Sequence, residues 1–158
     1  MLSLDPSLAC APALSSEAEQ LVHELELLLG ADHVLHSEAD LLAYDGDAYP
    51  IARQRPLAIA LAETTEHVAG IVRLCARHRI PFVPRGAGTG LSGGATPVPG
   101  GVVISLARMN RVIEIDAPNR RAVVQAGCIN QTVSAAAAPY GLCYAPDPSS
   151  QAVCTIGG

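Results

Sequence analysis

The sequence contains no lysine and no tryptophan, and it has a single phenylalanine among its 158 residues. Without lysine there is neither a P-loop, which needs a lysine on the phosphates, nor a Schiff-base nucleophile. Because aromatic residues are scarce, the core must be aliphatic, and a hydrophobic fraction of 49% is sufficient for a globular fold. The composition therefore predicts about one globular domain with an aliphatic core.

Basic charge is also limited. All ten basic residues are arginines scattered along the chain, and the net charge is −5. Because nucleic-acid-binding proteins normally present a basic face, we expect no nucleic-acid partner.

The five cysteines are widely spaced without a C-x-x-C pair, which argues against a disulfide framework and a zinc site. This cysteine usage favours a reducing, cytoplasmic setting.

Targeting and metal-binding patterns are also absent. No apolar run approaches the length of a membrane span, and residues 1–16 lack the positive start of a signal peptide. Residues 1–14, which contain two prolines, are predicted to be a disordered leader. His33 and His36 have metal-pair spacing but no third ligand nearby, so we interpret them as solvated side chains and expect no metal site.

The hydrophobic pattern predicts a mixed chain that starts with a helix and ends mostly in strands and loops. Predicted helices lie at 16–29, from Ser37 to Tyr44, from Thr64 or Thr65 through Cys75, and through Val133–Ala138 with Asn130 as cap; predicted strands lie at 57–61, 80–84, 102–106, 112–115 and 122–126. The strand, helix and strand between residues 57 and 84 form a βαβ unit with a right-handed crossover. The fold class is therefore α+β with a small parallel portion.

A glycine-rich stretch, Pro84-Arg85-Gly86-Ala87-Gly88-Thr89-Gly90-Leu91-Ser92-Gly93-Gly94, follows the second predicted strand directly. Its glycines accept positive φ and expose successive N–H groups, and such a concave array binds phosphate. Arg85 at its edge can add a charge-assisted contact. A flexible surface turn is the alternative, but ligands of α/β units sit at the end of a buried strand.

A second interpretation of the same stretch is a Rossmann fingerprint. Gly88, Gly90 and Gly93 match G-x-G-x-x-G, and Glu114 lies roughly twenty residues further on, where a ribose-binding acid is expected. That motif requires a helix whose N-terminus faces the pyrophosphate. Because residues 94–101 contain two prolines, we instead expect residues 85–94 to form a non-helical loop that binds phosphate without a helix.

The stretch Pro84–Pro97 resembles the pyrophosphate-binding loop of the FAD-binding domain shared by vanillyl-alcohol-oxidase-type flavoenzymes. The tail, Tyr144–Gln151 with Cys154–Gly158, narrows the resemblance to the FAD-linked subunit of glycolate oxidase and to the D-lactate and D-2-hydroxyglutarate dehydrogenases. The resemblance covers roughly Leu41 to Gly158. It implies a domain over 15–158, with a first subdomain to about residue 106 and an incomplete second subdomain over 107–158.

The resemblance also implies which residues hold FAD between the two subdomains. Those implied to surround the pyrophosphate, largely through backbone N–H groups, are Pro84, Arg85, Gly86, Ala87, Gly88, Thr89, Gly90, Leu91 and Ser92. Those implied on the flavin side are Pro146, Asp147 and Ser150, with Thr155, Ile156, Gly157 and Gly158 as a second wall. For Asp147 the alternative is a simple turn residue between two prolines.

The implied reaction is oxidation of a 2-hydroxy acid such as glycolate or D-lactate to the 2-keto acid, with the flavin carrying the redox chemistry. The resemblance places the base and the substrate-binding arginine in a C-terminal domain, so these residues alone are expected to be inactive. Other glycolate oxidase subunits, including an iron–sulfur subunit, are the implied partners. Thr89 stands where some relatives attach FAD through histidine, so FAD is expected to be non-covalent. A module that no longer holds FAD is the remaining alternative.

Overall fold

A computed structural model describes residues 16–157 of the chain, so the predicted leader at 1–14 lies outside the described residues. The elements are α1 (Ser16–Leu29), β1 (Val34–Leu35), α2 (Glu38–Leu42), β2 (Ala58–Leu61), α3 (Thr65–His78), β3 (Phe82–Arg85), β4 (Val102–Ser105), β5 (Val112–Asp116), β6 (Arg121–Val124) and α4 (Asn130–Ala137), with short 3-10 turns at Ala31–His33 and Ala138–Tyr140. Among the described residues, none of the helices combines the length and apolar character needed to cross a bilayer.

Strands β1 to β4 form one sheet in the order β1-β2-β4-β3. Strand β4 is parallel to both β2 and β3, and β1 is antiparallel to β2. Every residue of β2 and β4 is buried, which explains their continuous apolar sequences. The predicted strand, helix and strand are therefore present and parallel. Strand β4 lies between β2 and β3, an insertion that the local pattern did not predict.

Helices α1 and α3 cover one face of this sheet. Leu21 and Leu25 of α1 pack with Ile71 and Cys75 of α3 against the buried side chains of β2 and β4. The hydroxyl of Thr64 accepts a hydrogen bond from the N–H of His67 at 3.2 Å, so Thr64 caps α3. The opposite face is covered by residues near α2. This packing fixes the C-terminal end of β3, from which the glycine-rich loop departs.

Strands β5 and β6 form a separate antiparallel hairpin. The predicted turn over 117–120 joins them, and Arg120 adopts a positive φ of 51° there. The prediction that Asn130 caps α4 is wrong. Asn130 is the first helical residue and is buried, whereas Ile129 occupies the cap position and makes no side-chain capping bond. The side chain of Asn130 is directed instead to the segment that follows the helix.

Candidate cofactor site

The glycine-rich loop, residues 86–94, leaves β3 without forming a helix. No helix or strand is present over 86–101, so the Rossmann interpretation is wrong and the predicted non-helical loop is confirmed. Gly88 and Gly93 have φ values of 69° and 76°, a left-handed conformation that glycine adopts without strain. The prolines at positions 97 and 99 explain why the chain does not enter a helix here.

The chemistry of the loop fits an anionic diphosphate. Within the described part of the chain, the backbone N–H groups of residues 87–94 donate no hydrogen bond to another protein group. Just after the loop, the N–H of Ala95 does make a hydrogen bond: it donates to the carboxylate of Asp47. Backbone donors need acceptors, and a run of free N–H groups in a curved loop offers them to a ligand or to water. The residues present therefore fit the pyrophosphate of FAD.

A cavity joins the loop to the tail. Its volume is about 320 Å³, and its lining residues are Pro84, Gly88, Thr89, Gly90, Leu91, Ser92, Gly94, Ala95 and Gly157. The structure thus brings together two stretches that lie more than sixty positions apart in the numbering and that the family resemblance implied as parts of one site. Gly157 is held there by its N–H, which donates to the carbonyl of Ala126 at 2.8 Å. Gly158 lies outside the described residues.

The other predicted loop residues contact the protein rather than the cavity. The guanidinium of Arg85 donates to the carbonyl of Gly46 and lies 5.3 Å from the centre of the Tyr44 ring. Its charge is therefore close to Gly88 of the loop, although Arg85 itself does not line the cavity. Gly86 is buried at the end of β3 and Ala87 is half-buried.

The tail wraps the start of α4. The side-chain amide of Asn130 donates to the carbonyl of Pro146 at 3.0 Å, and its backbone N–H donates to the carbonyl of Cys154 at 3.0 Å. Thr155 bridges to Ile129. Because tail carbonyls take these N–H groups, the N-terminus of α4 is not free to bind a phosphate. The sequence analysis did not predict that Asn130 would hold the tail in place through these two bonds.

The predicted flavin-side residues differ in exposure. Pro146, Asp147 and Ile156 are exposed, whereas Ser150 and Thr155 are half-buried. Ser150 lies in a turn where its carbonyl accepts the N–H groups of Val153 and Cys154, both at 2.8 Å. Within residues 16–157, the hydroxyl of Thr155 and the side-chain oxygen of Asn130 are buried without a protein partner. Such unsatisfied polar atoms are expected where a ligand or an ordered water completes the site.

Titratable groups with perturbed pKa values lie away from this cavity. A hydrogen bond from His33, with a second from Arg108, lowers the pKa of Glu63. Burial raises the pKa of Cys75 to about 11. His33 pairs with Glu63 and His36 with Glu26, so the two histidines do not converge on one centre. These groups stabilise local structure and do not contribute an acid, a base or a thiolate to the cavity.

Comparison with known proteins identifies the family. Residues 56–158 match the FAD binding domain family. The glycolate oxidase subunit GlcD of Escherichia coli (strain K12) is 46% identical over 125 residues, covering 79% of this chain and 25% of that protein. GlcD of Bacillus subtilis (strain 168) is 40% identical over 140 residues, covering 89% and 29%. D-lactate dehydrogenase of Anaerostipes hadrus is 41% identical over 106 residues, covering 67% and 22%.

Solved structures agree with this assignment. p-Cresol methylhydroxylase with bound substrate has a TM-score of 0.72 at 30% identity, over 83% of this chain and 26% of that chain. Alkyldihydroxyacetonephosphate synthase has a TM-score of 0.81 over 98% of this chain and 30% of that chain, and at 20% identity it supports the fold alone. The predicted vanillyl-alcohol-oxidase-type α+β fold is confirmed. The chain spans about a quarter of the length of its curated relatives. It belongs to the FAD binding domain family, its relatives include glycolate oxidase subunits and a D-lactate dehydrogenase, and its cofactor is FAD.

Proposed function

We propose that this chain is the FAD-binding part of an oxidoreductase that converts a 2-hydroxy acid of the glycolate or D-lactate type to the 2-keto acid. The cavity between the glycine-rich loop and Gly157 is the observation that carries the proposal, because it joins free backbone donors to a second wall of the site. The 46% identity to a glycolate oxidase subunit supports the substrate class. When bound, FAD supplies the hydride acceptor.

Two stretches of this chain would hold the cofactor. The N–H groups of residues 86–92 would bind the pyrophosphate, where glycines allow the backbone to approach closely. On the flavin side we assign Pro146, Asp147, Ser150, Thr155, Ile156, Gly157 and Gly158. The buried hydroxyl of Thr155, which has no hydrogen-bond partner among the described residues, supports this part of the assignment. The bond from Asn130 to Pro146 would keep the second wall in place.

The arrangement of the sheets supports a boundary between two subdomains. The four-stranded sheet ends at Ser105, and the separate hairpin begins at Val112. We place the boundary at about residue 106, with a first subdomain over 15–106 and the beginning of a second over 107–158. The loop belongs to the first and the tail to the second, so FAD would lie between them. This location suits a ligand, since clefts between structural units are common binding sites.

The groups that act on the substrate would lie outside these residues. No histidine or lysine lines the cavity, so among the described residues it lacks a base suited to take a hydroxyl proton. We therefore assign the base and the carboxylate-binding arginine to the remainder of a full-length protein, meaning one that carries these 158 residues together with the further length of the relatives. Because the relatives in Escherichia coli and Bacillus subtilis are named as subunits, we also propose partner subunits, with an iron–sulfur protein among them.

Turnover assays test the substrate class. The full-length protein, loaded with FAD, is expected to reduce a dye acceptor with at least one of glycolate, D-lactate and D-2-hydroxyglutarate. Residues 1–158 alone, with FAD in excess, are expected to remain at the free-flavin blank. A full-length protein that binds FAD and oxidises none of the three would contradict the substrate class. Turnover by the 158-residue chain would show that the base lies within it.

FAD is expected to be released intact when the full-length protein is denatured. Residues 85–94 contain neither histidine nor cysteine, and position 89 is threonine, so the loop has no side chain suited to flavin attachment. Acid precipitation followed by mass spectrometry checks this, with the flavin expected entirely in the supernatant. A flavin mass on the peptide that covers 85–94 would refute non-covalent binding.

A further inference from the structure

A short segment of the chain supports the glycine-rich loop from behind. We call residues 44–49 the brace. The N–H of Ala48 donates to the carbonyl of Gly88 at 2.9 Å, and the carbonyl of Gly46 accepts the guanidinium of Arg85. The brace does not contribute to the cavity lining. It therefore contacts the protein side of the loop while the opposite side faces the cavity.

Asp47 makes the contact at the far end of the loop. One oxygen of its carboxylate accepts the N–H of Ala95 at 3.3 Å, and the other accepts the N–H of Tyr49 at 2.9 Å. Together with the bond from Ala48 to Gly88, these contacts fix both ends of the stretch 88–95 to the brace. The N–H groups between those ends donate no hydrogen bond to any protein group in the part of the chain that the structure describes. The brace thus holds the loop without occupying its donors.

The charge of Asp47 is unexpected at this place. Asp45 pairs with Arg53 at 2.8 Å, whereas Asp47 forms no ion pair among the described residues. A carboxylate close to a pyrophosphate site is electrostatically unfavourable for ligand binding. Its two bonds to backbone N–H groups are the evident compensation, since hydrogen bonds to a charged acceptor are the stronger kind.

We propose that Asp47 is a positioning residue, which holds the glycine-rich loop so that its free N–H groups keep the spacing and direction that a diphosphate requires. The inference rests on the proposed function of the loop as the FAD pyrophosphate site. The inference predicts whether removing the charge of Asp47 weakens or strengthens FAD binding. If repulsion dominated, removing the charge would tighten FAD binding. If positioning dominates, the same change weakens binding, because Asn replaces one of the two accepting oxygens with an NH2 group, which donates and cannot accept.

The test uses the full-length protein stripped of FAD and titrated with FAD or with ADP, which carries the diphosphate but no flavin. In Asp47→Asn, both dissociation constants are expected to rise about tenfold, the effect of losing one charge-assisted hydrogen bond. Asp47→Ala is expected to lose at least as much affinity for both ligands. Asp47→Glu, which retains the carboxylate, is expected to recover part of the affinity for both ligands.

Asp45→Asn is the matched control, because it removes a carboxylate from the brace that pairs with an exposed arginine and does not contact the loop. Its dissociation constants are expected to stay within twofold of the wild type. Unchanged or tighter binding in Asp47→Asn would overturn the inference, as would an equal loss in the control. Failure of the wild type to bind FAD would instead overturn the proposed function. Thermal melts of the FAD-free proteins show whether a variant folds, and if Asp47→Ala does not, the asparagine and glutamate variants decide.

Discussion

Gly88→Val is expected to abolish FAD retention by the full-length protein. Gly88 lines the cavity at a φ of 69°, which a β-branched residue adopts only with strain of about 1–3 kcal/mol. A Cβ at this position would also overlap the guanidinium of Arg85. The valine side chain therefore displaces the guanidinium of Arg85 or shifts the loop, and either change disturbs the backbone N–H groups that the pyrophosphate requires. Flavin absorbance per mole of purified protein is the measurement, and the expected value is close to zero.

Gly100→Val is the control for backbone strain. Gly100 has the same φ of 69°, but a Cβ there meets no atom within 4 Å, and the residue does not line the cavity. Gly100→Val is expected to lower the free energy of unfolding about as much as Gly88→Val does, while the flavin content stays near that of the wild type. If Gly88→Val purifies with a full complement of flavin, the assignment of this loop to the pyrophosphate is wrong. If both variants lose flavin equally, strain alone explains the loss.

Gly127→Ala is expected to have the largest effect on stability. The residue is buried, and a Cβ there would overlap the carbonyl oxygen of Leu106 and lie 3.0 Å from that of Met109. Both obstacles are backbone atoms, so no side chain can rotate away. The N–H of Gly127 also donates to Met109 at 2.8 Å, which keeps the two segments together. We expect a loss of about 3 kcal/mol or more in the free energy of unfolding.

Denaturant titration of the FAD-free protein measures this loss. Gly94→Ala is the matched control, because a Cβ at Gly94 meets nothing within 4 Å and its φ lies outside the left-handed region. Its free energy of unfolding is expected to stay within about 0.5 kcal/mol of the wild type. Equal stability of the Gly127 and Gly94 variants would show that the chain between Leu106 and Met109 does not pack against Gly127 as described.

The parts of the fold that local patterns determine were predictable. Leucines at helical spacing predicted α1, and the apolar runs predicted β2 and β4, because each depends on residues close in sequence. The two prolines after the glycine-rich loop excluded the Rossmann helix. The loop was found from its glycine spacing and the tail through the resemblance to a family, and the structure places Gly157 against the loop. The assignment of individual residues to FAD remains a prediction.

What the sequence did not predict depends on contacts between distant segments. Strand β1 has two residues, too few for a periodic pattern, and it exists because Val34 and Leu35 pair with β2. The role of the brace follows from bonds between residues that lie 39 to 48 positions apart. Asparagine is a residue type that commonly caps helices. Asn130 is instead buried, and its side chain donates to the carbonyl of Pro146. In each case a tertiary contact overrides the local preference.

The position of β4 has a consequence for the order in which the chain folds. Strands β2 and β3 do not pair with each other; each pairs with β4, which is made after both of them. A nascent chain that ends before Val102 therefore has the two outer strands and the helix between them but lacks the strand that joins them. Closing the sheet requires long-range pairing, which is slow. The glycine-rich loop links β3 to β4, so its second end is anchored only when β4 inserts. Cofactor uptake during synthesis must therefore wait for residues beyond 105 to leave the ribosome.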